Sequence, residues 1–248
     1  MRPGGGTTLG STQLIRAALR NDMPRVLQLV QLGAPLDAVD RTYRSSALQW
    51  ACELGYERVA EALLDGKYEG RGANIDLRSG GYTPLMLASW KGHKGVVRLL
   101  LARGARQELQ DSAGRTALHV AVMDNHPSIV ELLCAAPGAA ATLALQDSEG
   151  RSALHWAVMD DRPSIVELLC AAPGAAAALA LRDRDGRTAL HWAVMDDRPS
   201  IVELLCAAPG AAAALALRDS EGRTPLATAV ARRHAACEAA LRAHGATV

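Results

Sequence analysis

The chain copies itself. The segment Ala-Leu-His-Trp-Ala-Val-Met-Asp-Asp-Arg-Pro-Ser-Ile-Val-Glu-Leu-Leu-Cys begins at Ala153 and recurs unchanged at Ala189, with a close copy at Ala117. Its first Leu falls at Leu118, Leu154 and Leu190, and again at Leu226, a constant step of 36 residues. Weaker copies place Leu85, Leu48 and Leu14 in the same register, which gives seven units in all. A fixed period of this size marks a stack of small units, none of which can bury its apolar face alone.

Each unit spells the same local structure. In the clearest copy, Asp183-Arg184-Asp185-Gly186 reads as a tight turn, because Gly supplies a backbone conformation that other residues resist. Thr188 stands where a helix N-cap is wanted, and the spacing predicts a short helix over Ala189–Met195. Asp196, Asp197 and Arg198 end it, and Pro199 suits the first turn of a second helix. Ile201, Val202, Leu204 and Leu205 give that helix an apolar stripe. The Ala-rich stretch around Pro173 and Pro209 predicts a break and then a short helical turn. The fold class expected is therefore all-α.

The 248 residues carry 27 Lys plus Arg against 26 Asp plus Glu, a net charge of +1, which gives no electrostatic footprint for nucleic acid. The start lacks the apolar core of a signal peptide, and no apolar run is long enough to span a membrane. Five Cys without an export signal read as reduced thiols of an intracellular, cytoplasmic or nuclear, protein.

Possible chemistry reduces to a few constellations. His119, His155 and His191 share one repeat position, and Cys134, Cys170 and Cys206 share another. Each His lies 15 residues from its Cys, on a different helix, without the close ligand pairs that zinc requires. The pairs Asp160-Asp161 and Asp196-Asp197 are expected to cap the second helices. No nucleophile elbow, phosphate loop or dinucleotide fingerprint occurs. No catalytic residue, metal site or cofactor is therefore expected.

Gly-Arg-Thr-Ala-Leu-His-Trp-Ala followed by Ile-Val-Glu-Leu-Leu resembles the ankyrin repeat, whose signature reads Gly-x-Thr-Pro-Leu-His-x-Ala. The likeness extends over roughly residues 11–246, although the family period is about 33 residues and the later units here are longer. It implies a solenoid of helix pairs with short turn fingers. The expected organisation is a disordered tail over 1–10 and a single repeat domain over 11–248. Its units are expected at about 11–40, 41–77, 78–110, 111–146, 147–182, 183–218 and 219–248, with an exposed bulge over 65–72.

The resemblance also implies that His119, His155 and His191 brace the fingers and that Trp156 and Trp192 belong to the core between repeats. It implies a non-enzymatic protein-interaction module, monomeric, an adaptor, inhibitor or assembly factor, with a passive scaffold or spacer as the alternative. Its partner is expected to be another protein rather than a nucleic acid, a membrane or a small molecule. In this family the turn tips and first-helix ends line the binding face. Carried over, those positions are Tyr82, Arg115, Arg151, Arg187 and Arg223 from the turns, and Trp90, Lys91, Met123, Asp124, Met159, Asp160, Met195 and Asp196 from the helix ends. The three recurring Arg are expected to form a basic row, beside an acidic row of Asp124, Asp160 and Asp196.

Overall fold

The computed structural model describes residues 6–65 and 72–247. Residues 66–71, which carry most of the expected bulge, and 1–5 of the expected tail lie outside the described residues. The chain divides into two compact units, one ending at Ser112 and one beginning at Ala113.

The first unit holds three helix pairs: α1 (Gly6–Leu19) with α2 (Met23–Gln31), α3 (Ala47–Glu53) with α4 (Glu57–Leu64), and α5 (Pro84–Trp90) with α6 (Lys94–Ala102). Helix α1 begins at Gly6, inside the segment expected as a tail. First helices stack on first helices and second on second, α1 on α3 on α5 and α2 on α4 on α6.

The second unit repeats a longer module. It comprises α7 (Ala117–Met123), α8 (Pro127–Ala135) and α9 (Ala139–Leu143), then α10 (Ala153–Met159), α11 (Pro163–Ala171) and α12 (Ala175–Leu179). Next come α13 (Ala189–Met195), α14 (Pro199–Ala207) and α15 (Ala211–Ala216), and the unit closes with α16 (Pro225–Arg232) and α17 (Ala235–Ala243). Among the described residues the only β-pairing is two isolated bridges, Val39 with Ser46 and Ser79 with Tyr82.

Local chemistry accounts for these boundaries. The Thr188 hydroxyl accepts from the His191 N–H at 3.4 Å to cap α13, and Pro199 occupies the first turn of α14. Ile201, Val202 and Leu205 are 0–1% exposed, so each contributes about 1.5–3 kcal/mol of burial. The three short helices α9, α12 and α15 form a third column that the sequence placed after the prolines. Gly174 caps α12 with φ of 94°, and a Cβ there would meet Ala140 Cα at 2.9 Å. A side chain at that position is thus opposed both by the left-handed backbone and by the neighbouring short helix.

All five cysteines are free and buried. Burial pushes the Cys134, Cys170 and Cys206 thiols up to about 11, so they pack as small apolar groups and carry little thiolate at neutral pH. A thiol reagent is expected to label the native protein slowly and, after denaturation without reductant, to count every cysteine. A shortfall in that count would reveal a disulfide and contradict the packing.

Candidate functional site

The fingers of the second unit are organised by a buried carboxylate. Asp147 accepts from the backbone N–H of Glu149 at 2.8 Å and of Arg151 at 2.9 Å, from Arg151 Nε at 3.2 Å, and from Trp156 Nε1 at 2.9 Å. Burial alone would raise its pKa. The hydrogen bonds from Arg151, Trp156 and Glu149 outweigh that, and the net shift is downward. One repeat on, Asp183 accepts from the N–H of Asp185 at 2.9 Å and of Arg187 at 2.8 Å, and from Trp192 Nε1 at 2.8 Å.

Trp156 and Trp192 are therefore not core residues, contrary to expectation. Each is half-buried against its own finger. An indole needs an acceptor when it leaves water, and the carboxylate nine residues upstream supplies one. The Arg151 guanidinium lies 4.3 Å from the Trp156 ring centroid, and that of Arg187 lies 5.6 Å from the Trp192 ring. The expected basic row is likewise neutralised within each finger. Arg151 pairs with Asp147 at 3.2 Å, Arg187 with Asp185 at 2.9 Å, and Arg223 with Asp219 at 3.0 Å. Arg115, the counterpart one repeat earlier, is half-buried.

The recurring histidines link neighbouring repeats. His155 Nδ1 accepts the Ser152 N–H at 3.2 Å, and its Nε2 donates to the Arg187 carbonyl at 3.1 Å. His191 repeats this with the Thr188 N–H at 3.2 Å and the Arg223 carbonyl at 3.0 Å, and His119 Nε2 reaches the Arg151 carbonyl at 3.2 Å. The neutral ring, with its proton on Nε2, satisfies both partners. Burial pushes the pKa of His155 and His191 down, and the bond to the next finger offsets this only in part. Among the described residues no group of three or more His, Cys, Asp or Glu is arranged to hold a metal ion.

At the first-helix ends, Met123, Met159 and Met195 are the last residues of α7, α10 and α13, each half-buried. Asp160 is half-buried, and Asp124 and Asp196 are exposed. The aspartate pairs do not cap the second helices. The caps are Arg162 and Arg198, without a side-chain cap bond, because the proline occupies N1 and arginine offers no acceptor. Asp161 and Asp197 take left-handed backbone instead, with φ of 55° and 51°. Arg198 lies between Asp196 at 3.7 Å and Asp161 at 3.6 Å, so it ties successive helix ends together.

The first unit differs in what it shows to solvent. Tyr82 and Trp90 are stacked, with ring centroids 6.2 Å apart and planes at 26°. Lys91 Nζ sits 4.0 Å over the Trp90 ring and 3.9 Å from Glu53 Oε1. Three expected site residues thus meet in one cluster, and Trp90 stays 38% exposed. Leu19, Leu32, Val39, Tyr43 and Leu54 are also exposed in this unit, whereas Val230 is the exposed large apolar residue described in the second. Sequence reasoning missed Tyr43 and its edge-to-face contact with Trp50, 5.4 Å between centroids. The signal was present: Asp40 precedes Trp50 by ten residues and accepts its Nε1 at 3.1 Å.

Residues 14–111, 104–179 and 175–248 match the family of ankyrin repeats in three copies. A putative ankyrin repeat-containing protein of Treponema pallidum is 34% identical over 126 residues, 49% of this chain and 40% of that protein. Glycerophosphocholine phosphodiesterase GDE1 of Eremothecium gossypii is 32% identical over 111 residues, 43% of this chain and 8% of that protein. The chain thus spans less than half the length of these curated relatives. Among solved structures, the ankyrin repeat domain of Bcl-3, a member of the IkappaB protein family, aligns with a TM-score of 0.77 and 27% identity over 94% of this chain and 99% of that one. Signature, helix pairing and family match agree, and the chain belongs to the ankyrin-repeat family.

Proposed function

We propose that this chain is a non-enzymatic adaptor, inhibitor or assembly factor that binds a partner protein inside the cell. Ankyrin repeats are protein-interaction modules, and the finer reading rests on one observation: the exposed Trp90 braced by Tyr82 and Lys91. A tryptophan held in place by neighbours loses little further freedom on binding, and interface energy concentrates in such anchors. In the second unit, Arg115, Met123, Asp124, Met159, Asp160, Met195 and Asp196 offer polar and thioether contacts at the same register, with Arg151, Arg187 and Arg223 held by their own fingers. The non-enzymatic reading draws support from the structural engagement of every histidine that shares the repeat position. The phosphodiesterase relative shares too little of its length to lend its reaction.

The test is quantitative capture of a partner from lysate. Trp90→Ala is expected to weaken it at least tenfold, about 1.4 kcal/mol, without unfolding the chain. Charge reversal of Glu167 and Glu203, both exposed on second helices, should leave it unchanged. The opposite pattern would move the binding face to the second helices. Capture of nothing by the wild-type chain would favour the passive scaffold.

A further inference from the structure

Between α1 and the first finger, the first unit carries an open-sided pocket of about 690 Å³, within the size range of ligand sites. We propose that this pocket takes a short acidic segment of a partner protein, an apolar side chain entering it while a flanking carboxylate meets Arg16 and Arg41. The proposal rests on the protein-binding reading above and specifies the chemistry of one part of the partner.

The apolar half of the pocket comes from Ile15 and Leu19 on α1, Val39 before the finger, and the Tyr43–Trp50 pair. Tyr43 is 67% exposed and Val39 38%, so much of this surface is wet in the free chain and gains on being covered. The edge-to-face contact with Trp50 orients Tyr43 as one wall of the pocket.

The polar half decides the sign of the ligand. Asp40 lies in the pocket but its acceptor sites are taken. It receives the N–H of Thr42 at 2.9 Å, of Tyr43 at 2.6 Å and of Ser45 at 3.1 Å, besides Trp50 Nε1 at 3.1 Å. Burial would raise its pKa, yet these bonds hold it below the usual carboxylate range, so it stays ionised and internally committed. Arg16 and Arg41 are the reverse case. Both are exposed, and neither side chain has an ion pair or hydrogen bond among the described residues. Helix α1 carries no acidic residue of its own to answer Arg16. Two uncommitted guanidiniums beside a committed carboxylate favour an anionic partner group, and bidentate pairing to a carboxylate suits arginine. A simple anion would leave the apolar half wet, whereas an acidic and apolar peptide fills both halves.

Short random peptides displayed on phage, panned against the full chain, would test this. Enriched sequences are expected to set Asp or Glu beside Leu, Met or an aromatic residue. Synthetic copies should bind the double variant Arg16→Glu/Arg41→Glu at least tenfold more weakly, and Tyr43→Ala more weakly as well, with circular dichroism unchanged. Added salt should weaken binding, and inorganic phosphate should not displace the peptide. Enrichment of basic peptides, enrichment of none, full displacement by phosphate, or indifference to all three substitutions would overturn the proposal. If partner capture still depended on Trp90 in that event, the adaptor reading would stand and this pocket would fall alone.

Discussion

Asp147→Ala is expected to lower stability by about 3 kcal/mol, and Asp183→Ala, at a half-buried carboxylate, by less. The carboxylate of Asp147 is 3% exposed and serves two backbone N–H groups, a guanidinium and an indole. Deleting it leaves all of them to find new partners, water included, since the finger around Asp147 is partly exposed, and an orphaned buried donor costs about 1–3 kcal/mol before such relaxation. Asp147→Asn should fall between, since its amide offers one acceptor oxygen and turns an N–H toward a remaining donor. Urea unfolding followed by tryptophan fluorescence would measure the loss. A change within about 0.5 kcal/mol, the size expected for an ordinary surface substitution, would refute the role given to this carboxylate. The Asp147 pKa is lowered in the folded state. Its contribution is therefore complete above the unfolded value of about 3.9 and is lost as pH falls through the folded one. The variant should lack that part of the acid limb.

His191→Ala and His155→Ala are each expected to cost about 1–3 kcal/mol, the penalty for unpairing a backbone N–H on one side and a carbonyl on the other. They carry a distinct pH signature. Both rings have lowered pKa values, with burial as the leading cause, so the folded chain refuses a proton that the unfolded chain accepts near pH 6.5. Stability is full above about pH 6.5, falls as the pH drops below it, and levels off once the folded pKa is passed. The double variant should be flatter across that window. Stoichiometric zinc in the purified wild-type protein would overturn the structural assignment of these histidines.

The repeat made the fold legible. Helix α13 spans Ala189–Met195 as its capping and apolar pattern predict, and the short helices follow the prolines as expected. What could not be read was which side chains the fingers consume. Arg151, Arg187 and Arg223 look free in a linear sequence, but each has a finger aspartate within reach. Trp156 follows the apolar register of its helix, but its indole bond to Asp147 and the Arg151 guanidinium over its ring tie it to the finger. The pocket beside Tyr43 and Trp50 was hidden for a different reason. It lies in the weakly repeated part of the chain, where register offers least guidance and the one sequence signal is the Asp40–Trp50 spacing.

The 36-residue spacing makes chain length a heritable variable. Excising residues 153–188 would join Ser152 to Ala189, leaving a serine to cap α13 in place of Thr188, as it caps α10 now. His119 would still find the Arg151 carbonyl and His191 the Arg223 carbonyl, so every latch would be remade from an equivalent partner. Recombination between the duplicated stretches of such a gene would thus shorten or extend the protein by whole storeys. Within this stretch, a deletion that was not a whole number of 36-residue units would set a helix where a finger has to be.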